Sequence, residues 1–404
     1  MVWYAGGNLV YLVCQWLVTV LVTKLGGFGD AGVLSVAMSV SATFQTLAMF
    51  GMRNFQVSDI EDKYTNSCYV GFRIVTCMAA MVGCMIFSLV SSYRGEALLA
   101  IFLFMTFRLS ENFADVLYGI AQKHDRLDIA GKSFAIKGIG VLAIFLAAYR
   151  ISGSLNVGLA AMAIFSIVIT ALYDAIFVKR VSDYGFWEKG GRWISLAGET
   201  APLCIYLFLS TAITTVPKLV LERECGGEIL GAYSSIFAPA LLIQAAMCYV
   251  YNPFAQIFAA HRAKRDKRGF LLLAGKITAA IVLLTVLILL AAWLLGDWAL
   301  ELIFGEMIRP YAFLLAPILI SIAITSFFGF LCMLATVLRA FSWLLISCGA
   351  GFAFCLFLTA PMIDAFGVNG TSYSLSAGML LASAILILGV MLRLREPRTT
   401  RSLE

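Results

Sequence analysis

The chain alternates long apolar blocks with short polar interruptions. Cutting at the charged and Gly/Pro-rich breaks leaves twelve blocks, at approximately 3–23, 31–52, 69–92, 97–121, 133–150, 157–178, 194–216, 230–251, 270–295, 310–334, 342–360 and 368–392. Each holds roughly the 17–25 residues that about 30 Å of hydrocarbon requires of a helix. Ten-residue stretches alternating apolar and polar, the mark of a membrane barrel, are absent. The pattern predicts an all-α integral membrane protein with twelve transmembrane helices.

Composition supports lipid as the solvent. Of 404 residues, 61% are hydrophobic and 13% charged, against about 25% charged in an ordinary soluble domain. The first block lacks a basic n-region and is too long for a signal-peptide core, so no cleavable leader is expected. The ten cysteines form no CxxC pair, and the histidines are two, His124 and His261. That argues against a zinc or iron–sulfur site and for cysteines used as small apolar residues. No nucleotide-binding GxxxxGK[ST] loop, G-x-S-x-G elbow or H-E-x-x-H pair occurs. The expectation is a chain that is not an enzyme and carries no cofactor. Any transport would draw on an ion gradient, the membrane potential or the substrate's own gradient.

Charge sets the orientation. The net charge is +6, but the basic residues sit in loops between apolar blocks, as membrane orientation demands, so no nucleic-acid partner is expected. With the N-terminus inside, the outer connections hold Lys24, Arg94, Arg150, Lys218, Arg223 and Arg309. Arg108 falls in a membrane core. The other 22 of the 29 basic residues, Arg73 and Lys137 among them, go to inner connections or the C-terminal tail. Both termini are then cytoplasmic. The long inner connection at Lys179–Arg192 divides the chain into an N-terminal six-helix lobe (1–180), a cytoplasmic linker (181–193), a C-terminal six-helix lobe (194–392) and a cytoplasmic tail (393–404). Transporters are often built from two such repeats. An offset of 199 residues aligns Gly32 with Gly231, Ser35 with Ser234, Gln45 with Gln244 and Phe55 with Phe254, a faint trace of duplication that lays the second helix over the eighth.

The candidate chemistry lies in the fourth block, in FRLSENFADVLYGIAQ. At about 100° per residue, with Arg108 at zero, Glu111 falls at about 300°, Asn112 at 40°, Asp115 at 340°, Gly119 at 20° and Gln122 at 320°. One narrow polar edge therefore runs along an apolar helix. A charge at the bilayer centre costs about 2.5–3.5 kcal/mol. Arg108 can recover part of that by pairing with Glu111 at i+3, while Asp115 needs a further partner or water. Either the stripe lines a wet cavity and meets substrate or a coupling cation, or it is a buried ion-pair network that fixes helix packing; intramembrane charge favours the first. Arg53, ending the second helix, could meet an anionic head group or only anchor the helix. Glu199, between Ser195 and Pro202, marks either a broken helix or a prolyl kink, and Asp174 near the inner end of the sixth helix is similar. Pro217-Lys218 and Pro253 read as helix-end punctuation. Gln45 and Gln244 could bond a sugar hydroxyl or a neighbouring helix.

The run RLSENFADVLYGIAQKHDRLDIAGKS, with GMRNFQVSD at the end of the second helix, resembles the polysaccharide-unit flippases of the MOP exporter superfamily, the Wzx-type capsule, O-antigen and teichoic-acid exporters. The resemblance implies two six-helix lobes around a central cavity in the bacterial cytoplasmic membrane. It implies a polyprenyl-pyrophosphate-linked oligosaccharide carried from the inner to the outer leaflet, with a polymerase or glycosyltransferases of the same pathway as partners. Pyrophosphate needs cations, which points to Arg108 with Arg53 at the inner mouth, and to Asn112, Gln45 and Gln244 for the sugar. Glu111 and Asp115 would hold Arg108 between substrates or accept a cation, with Asp174 and Glu199 as further charge-pairing or ion-coupling candidates. Relatives commonly carry a short basic segment before the first helix, so the native start is expected upstream of MVWYAGGN. Two rivals stand beside this reading. A multidrug and toxin extruder of the same superfamily would need an acidic cavity for organic cations. A membrane enzyme acting on lipid-linked sugars would place carboxylates in large outer loops, and the outer loops here are short.

Overall fold

The computed structural model describes residues 2–59, 62–188 and 192–395. Within these residues every regular element is helical: α1 (Val2–Met49), α2 (Met52–Ser58), α3 (Asn66–Val90), α4 (Gly95–Lys123), α5 (Leu127–Ser152), α6 (Leu155–Ile169), α7 (Ala175–Lys179), α8 (Arg192–Cys225), α9 (Gly227–Tyr251), α10 (Ala255–Ala263), α11 (Lys267–Phe304), α12 (Leu315–Val337), α13 (Phe341–Phe366) and α14 (Asn369–Arg395). A π turn, Thr170–Asp174, joins α6 to α7.

Eleven helical stretches among the described residues are long and apolar enough to cross a membrane. The first is two crossings. A straight helix of 48 residues would be about 70 Å long, yet the Arg53 guanidinium just beyond α1 stacks 5.7 Å from the ring of Tyr4. The chain therefore doubles back. It does so at Gly27, whose φ of 73° and ψ of −166° break the helix in a region open to glycine and closed to most L-residues. Counted as two, α1 brings the spans to the twelve expected, in a multi-pass membrane protein.

Most other boundaries follow the apolar blocks to within a few residues, but α5 starts at Leu127 and α11 runs on to Phe304, well outside the blocks at 133–150 and 270–295. Pro217 and Lys218 do not end a helix; both lie inside α8, which runs on to Cys225. Proline is tolerated there as it often is in membrane helices, where neighbours re-satisfy the freed carbonyls. Lys218 lies within this helix, 3.6 Å from the centre of the Phe237 ring. Pro253 does punctuate, in a short 3₁₀ turn between α9 and α10.

Contacts group the chain into two units. The first runs to Ala238 and takes in Ile303–Glu306; the second holds Pro239–Leu302 and the helices from Met307 onward. This division does not follow the 181–193 linker, because α8 and the start of α9 pack on α1. A Cβ on Gly32 would lie 2.0 Å from the Gly227 carbonyl oxygen, and one on Gly231 would lie 2.0 Å from that of Phe28. Ser35 and Ser234 bridge their hydroxyls at 2.5 Å. Positions 28 and 32 thus meet 231 and 227, and 35 meets 234. With the offset of 199, each contact maps onto its reciprocal, so the faint repeat coincides with a local two-fold. We expect the double variant S35C/S234C to form a disulfide on mild oxidation in membranes, because the two side chains already touch. A gel shift reversed by reductant checks it; a chain that stays uncrosslinked would show that the helices part at this point.

In the first unit, α1 and α5 approach at backbone distance. A Cβ on Gly7 would sit 1.9 Å from the Gly131 carbonyl oxygen, and one on Gly131 would sit 2.2 Å from that of Trp3. Such contacts are how membrane helices gain packing without a hydrophobic drive between them. Gly7→Ala must push the two helices apart, at a cost of about 1–3 kcal/mol. Its measure is a lower unfolding temperature in detergent; an unchanged one would contradict the contact.

In the second unit, Tyr251 and Phe258 pack on Phe330, and Phe258 also meets Phe270. By contrast, α11 leaves most of its surface uncovered, with Trp293 81% and Trp298 64% exposed. In a membrane helix such a face meets lipid, since its backbone is satisfied internally.

The turn after α2 is built on Asp59. Its carboxylate accepts from the backbone N–H groups of Lys63 and Tyr64 and from the Tyr69 hydroxyl. Burial raises this carboxyl, but the three donors outweigh it and hold the group below the usual range.

Candidate functional site

The polar edge of α4 is real and faces into the first unit. Arg108 Nη1 donates to Glu111 Oε2 at 2.9 Å, one turn along the same helix. The guanidinium also lies over the rings of Phe104 and Phe107, at 5.0 and 5.5 Å. The Tyr11 hydroxyl, from the first half of α1, donates to the other oxygen of Glu111. One carboxylate thus holds a guanidinium and a phenol.

Asp115 does not hold Arg108. Its Oδ1 accepts from Arg53 Nη1 at 2.8 Å and its Oδ2 from Arg73 Nη2 at 3.3 Å. Arg53 reaches on to Gln122 Oε1, 3.1 Å away. Arg73 is fully buried, and its Nη1 donates to the Ala48 carbonyl at 2.7 Å. That carbonyl is one of the last in α1, where helical acceptors lack partners and a cation is favoured. The chain turns at once, through Phe50 and Gly51 with positive φ, which swings Arg53 back towards α4.

A second ion pair lies behind the same wall. Lys137 of α5 and Asp174 of the π turn are 2% and 0% exposed. Lys137 Nζ donates to Asp174 Oδ2 at 2.7 Å, Thr170 Oγ1 at 2.8 Å and the Tyr118 hydroxyl at 3.4 Å. The Tyr118 hydroxyl lies 2.8 Å from Ser133 Oγ and 3.2 Å from Asp174 Oδ2. Asp174 Oδ1 has no hydrogen-bond partner.

These groups enclose a cavity of about 170 Å³, lined by Tyr11, Gln45, Met49, Arg108, Glu111, Asn112, Asp115, Tyr118, Phe134 and Lys137. Gln45 donates to Asn112 Oδ1 at 3.2 Å, while the buried Asn112 amide nitrogen has no partner. Around the cavity, four cations (Arg53, Arg73, Arg108 and Lys137) face three carboxylates (Glu111, Asp115 and Asp174). Of these, Arg108, Lys137, Glu111 and Asp115 line the cavity, while Arg53, Arg73 and Asp174 lie behind its wall.

The structure thus gathers Arg53, Arg108, Glu111, Asn112, Asp115, Gln45 and Asp174, all singled out in the sequence. Two other candidates lie elsewhere. Glu199 of α8 accepts from Lys63 Nζ at 2.6 Å and from the Tyr64 hydroxyl at 2.9 Å; it ties the α2–α3 turn to α8 and does not line the cavity. Gln244 belongs to the second unit. Arg73 and Lys137 were assigned to inner connections, which left Arg108 as the one basic residue in the membrane core. Both in fact lie within helices and are buried. The visible signal was a lysine inside the apolar run AIKGIGV, which counting charges by loop passes over.

No protein-family model matches the chain. Over 305 residues, 74% of this chain and 75% of the relative, it is 26% identical to the capsular polysaccharide biosynthesis protein CapF of Staphylococcus aureus. Among solved structures, the lipid II flippase MurJ in an inward closed conformation matches with a TM-score of 0.73, over 97% of this chain and 88% of that one, at 12% identity. An inward-facing multidrug resistance MATE transporter of the MOP superfamily matches with a TM-score of 0.65, over 97% and 94%, at 14% identity. The chain shares the fold of these two proteins. The all-helical, two-lobe membrane architecture agrees with the one read from the sequence, and the relative named for capsular polysaccharide biosynthesis is in keeping with the resemblance stated there. One fold thus hosts a multidrug transporter and a lipid II flippase, so the cavity residues must decide between such roles.

Proposed function

We propose that the protein flips a polyprenyl-pyrophosphate-linked oligosaccharide from the inner to the outer leaflet of the bacterial cytoplasmic membrane, by alternating access between two six-helix lobes, for export of a capsule-type polymer. The observation that carries this reading is the set of four basic side chains, Arg53, Arg73, Arg108 and Lys137, gathered on the carboxylates in and behind the cavity wall. Arg108 and Lys137 line it, and each of its carboxylates is already matched by an arginine or lysine. Such a cavity offers guanidinium and ammonium groups to an anion and leaves no unmatched carboxylate for a cation. Arg108 and Arg53 would contact the pyrophosphate, guanidinium being suited to paired phosphate oxygens. Asn112 and Gln45 would bond sugar hydroxyls, with Gln244 as a candidate from the second unit. Glu111, Asp115 and Asp174 hold the cations in place between substrates. With both termini cytoplasmic, the basic loops lie at the leaflet where such substrates are made. The relative named for capsular polysaccharide biosynthesis supports the pathway, and a polymerase or glycosyltransferases would act beside it.

Deleting the gene should make lipid-linked oligosaccharide accumulate on the inner leaflet and stop polymer export, and the wild-type chain should restore both. Normal export in the deletion strain would overturn the proposal. Outward transport of an organic cation by the purified chain in vesicles would favour the multidrug reading instead. That reading shares the fold, but the matched carboxylates leave it no free acid among the residues lining the cavity.

A further inference from the structure

We infer that the α10–α11 and α12–α13 turns of the second unit together bind an anionic phospholipid, its phosphate held by Arg265 and Arg339 with Lys264 and Lys267 beside them. None of these residues lines the cavity, and the inference does not depend on what the cavity carries.

The first observation is a contrast in charge pairing. In the first unit the basic residues of the α4–α5 turn are matched. Arg126 and Lys132 share Asp128, at 2.8 and 3.6 Å, and Lys123 meets Asp62 at 2.6 Å. In the second unit the run HRAKRDKR, across the α10–α11 turn, holds one acid, Asp266. That acid is committed locally. One oxygen accepts from the Gly269 N–H at 2.8 Å, and the other lies 2.9 Å from His261 Nδ1. Lys264, Arg265, Lys267 and Arg339 are exposed and make no ion pair among the described residues. Orientation in a membrane asks only that basic residues be present. It does not ask that one turn be neutralised and the other left open.

The backbone singles out two of these cations. At the end of α10 the Asp266 N–H reaches back to the His261 carbonyl at 2.9 Å, and at the end of α12 the Ala340 N–H reaches the Ala335 carbonyl at 2.8 Å. Such a closing turn puts one residue in the left-handed region, where glycine is usual and asparagine next. Here the residue is an arginine both times, Arg265 with φ of 56° and Arg339 with φ of 55°. Helix α4 closes by the same bond, from the Arg126 N–H to the Ala121 carbonyl, through Asp125 with φ of 57°. The turn itself therefore does not call for arginine. A bulky side chain kept on such backbone is a pointer to function.

The two turns adjoin. Arg262, in the first, donates to the Val337 carbonyl at the end of α12. Phe258 of α10 packs on Phe270 of α11 and Phe330 of α12, which holds the turns side by side. Arg265, three residues past Arg262, and Arg339, two past Val337, thus flank one contact.

The occupant follows from what lies next to the cations. Leu271 and Leu272, one helical turn after Lys267, are 43% and 57% exposed, and Phe341, two residues after Arg339, is 50% exposed. A phospholipid offers a phosphate to the arginines and acyl chains to these apolar side chains at once. Guanidinium suits paired phosphate oxygens, and basic clusters just outside a membrane helix attract anionic lipid. An acidic protein segment would answer the cations and leave the apolar residues uncovered.

The test follows the unfolding temperature of the full chain, purified in detergent. The probes are phosphatidylglycerol, phosphatidylcholine with the same acyl chains, glycerol phosphate and polyglutamate. Phosphatidylglycerol should raise the temperature saturably, and phosphatidylcholine and glycerol phosphate should not. R265G/R339G should bind phosphatidylglycerol about ten- to thirtyfold more weakly, because each basic residue near an anionic head group contributes about a factor of five. Glycine suits both left-handed positions, so without lipid this variant should unfold at or above the wild-type temperature. Affinity and stability then move in opposite directions, which a purely structural pair of arginines cannot produce. R126Q/K132Q removes as many cations from the matched turn and should bind as the wild type does. If R265G/R339G does not fold, R265N/R339N makes the same comparison. Equal affinity in the wild type and the variant, an equal loss in R126Q/K132Q, an equal response to phosphatidylcholine or glycerol phosphate, or no response to phosphatidylglycerol would overturn the inference. Tighter binding of polyglutamate than of phosphatidylglycerol would also overturn it, and would assign the turns to an acidic protein partner.

Discussion

Arg108→Ala is expected to abolish polymer export in a complementation assay. The guanidinium is the one cavity cation that combines a carboxylate partner on its own helix, two aromatic neighbours and a place in the lining. Hydrogen bonds to a charged group contribute about 1.5–3 kcal/mol each, so loss of one phosphate contact lowers affinity about ten- to a hundredfold. The substitution also strands Glu111, whose other partner is the Tyr11 phenol. Two effects are therefore mixed in the single variant. The double variant R108A/E111Q separates them, because it removes the stranded charge. It should reach the membrane at the wild-type level and still fail to export. Arg108→Lys keeps the charge but loses the planar fork, and should give partial export. Undiminished export by R108A/E111Q would remove Arg108 from the substrate site.

Asp115→Ala is expected to lower the amount of protein in the membrane, before any question of transport. Asp115 joins two arginines on two different helices, and Arg73 is fully buried with its Nε unpartnered. Removing one member of a buried pair costs about 3–5 kcal/mol, because an uncompensated charge stays behind. That is a large share of the stability of an ordinary domain. The double variant R73M/D115A removes the fully buried charge, leaves Arg53 with Gln122 as its remaining partner, and lets a methionine fill the space of the Arg73 side chain. It should recover part of the unfolding temperature lost by D115A, the share that belongs to Arg73. If D115A unfolds in detergent at the wild-type temperature, the Arg73–Asp115 pair is not what holds α3, α4 and the end of α1 together. The charge of Asp115 is thus structural first, whereas the α4 stripe alone suggested that it steadies Arg108.

The reason for that difference is the range of the contact. Arg108 and Glu111 are three residues apart on one helix, so the 100° turn per residue places them together whatever surrounds them. The partners of Asp115 come from 62 and 42 residues away, and no periodicity in α4 names them. Lys137 and Arg73 show the opposite failing. The positive-inside rule assigns a basic residue near a helix end to the adjoining loop, but a buried carboxylate or a helix C-terminus can draw that residue inward. Asp174 and Ala48 do so here. Gln244 and Glu199 stand out in the sequence by type and position alone. The structure gives Glu199 to a turn clamp and leaves Gln244 in the second unit.

What the sequence determined by itself is whatever the membrane imposes on a helix: the twelve apolar spans, the absence of strands among the described residues, and the single polar edge of α4. In lipid every backbone group must be satisfied within its own segment, so length and apolarity nearly dictate the element. The tertiary structure alone decided which charges meet. It folded α1 back at Gly27 so that Tyr4 reaches Arg53, and brought Gly32 and Ser35 against Gly227 and Ser234. It also set Lys137 on Asp174 across 37 residues. Those pairings depend on how closely helices approach, which small residues permit and distant partners specify. No rule of period or composition contains that information, because it belongs to pairs of helices and not to any one of them.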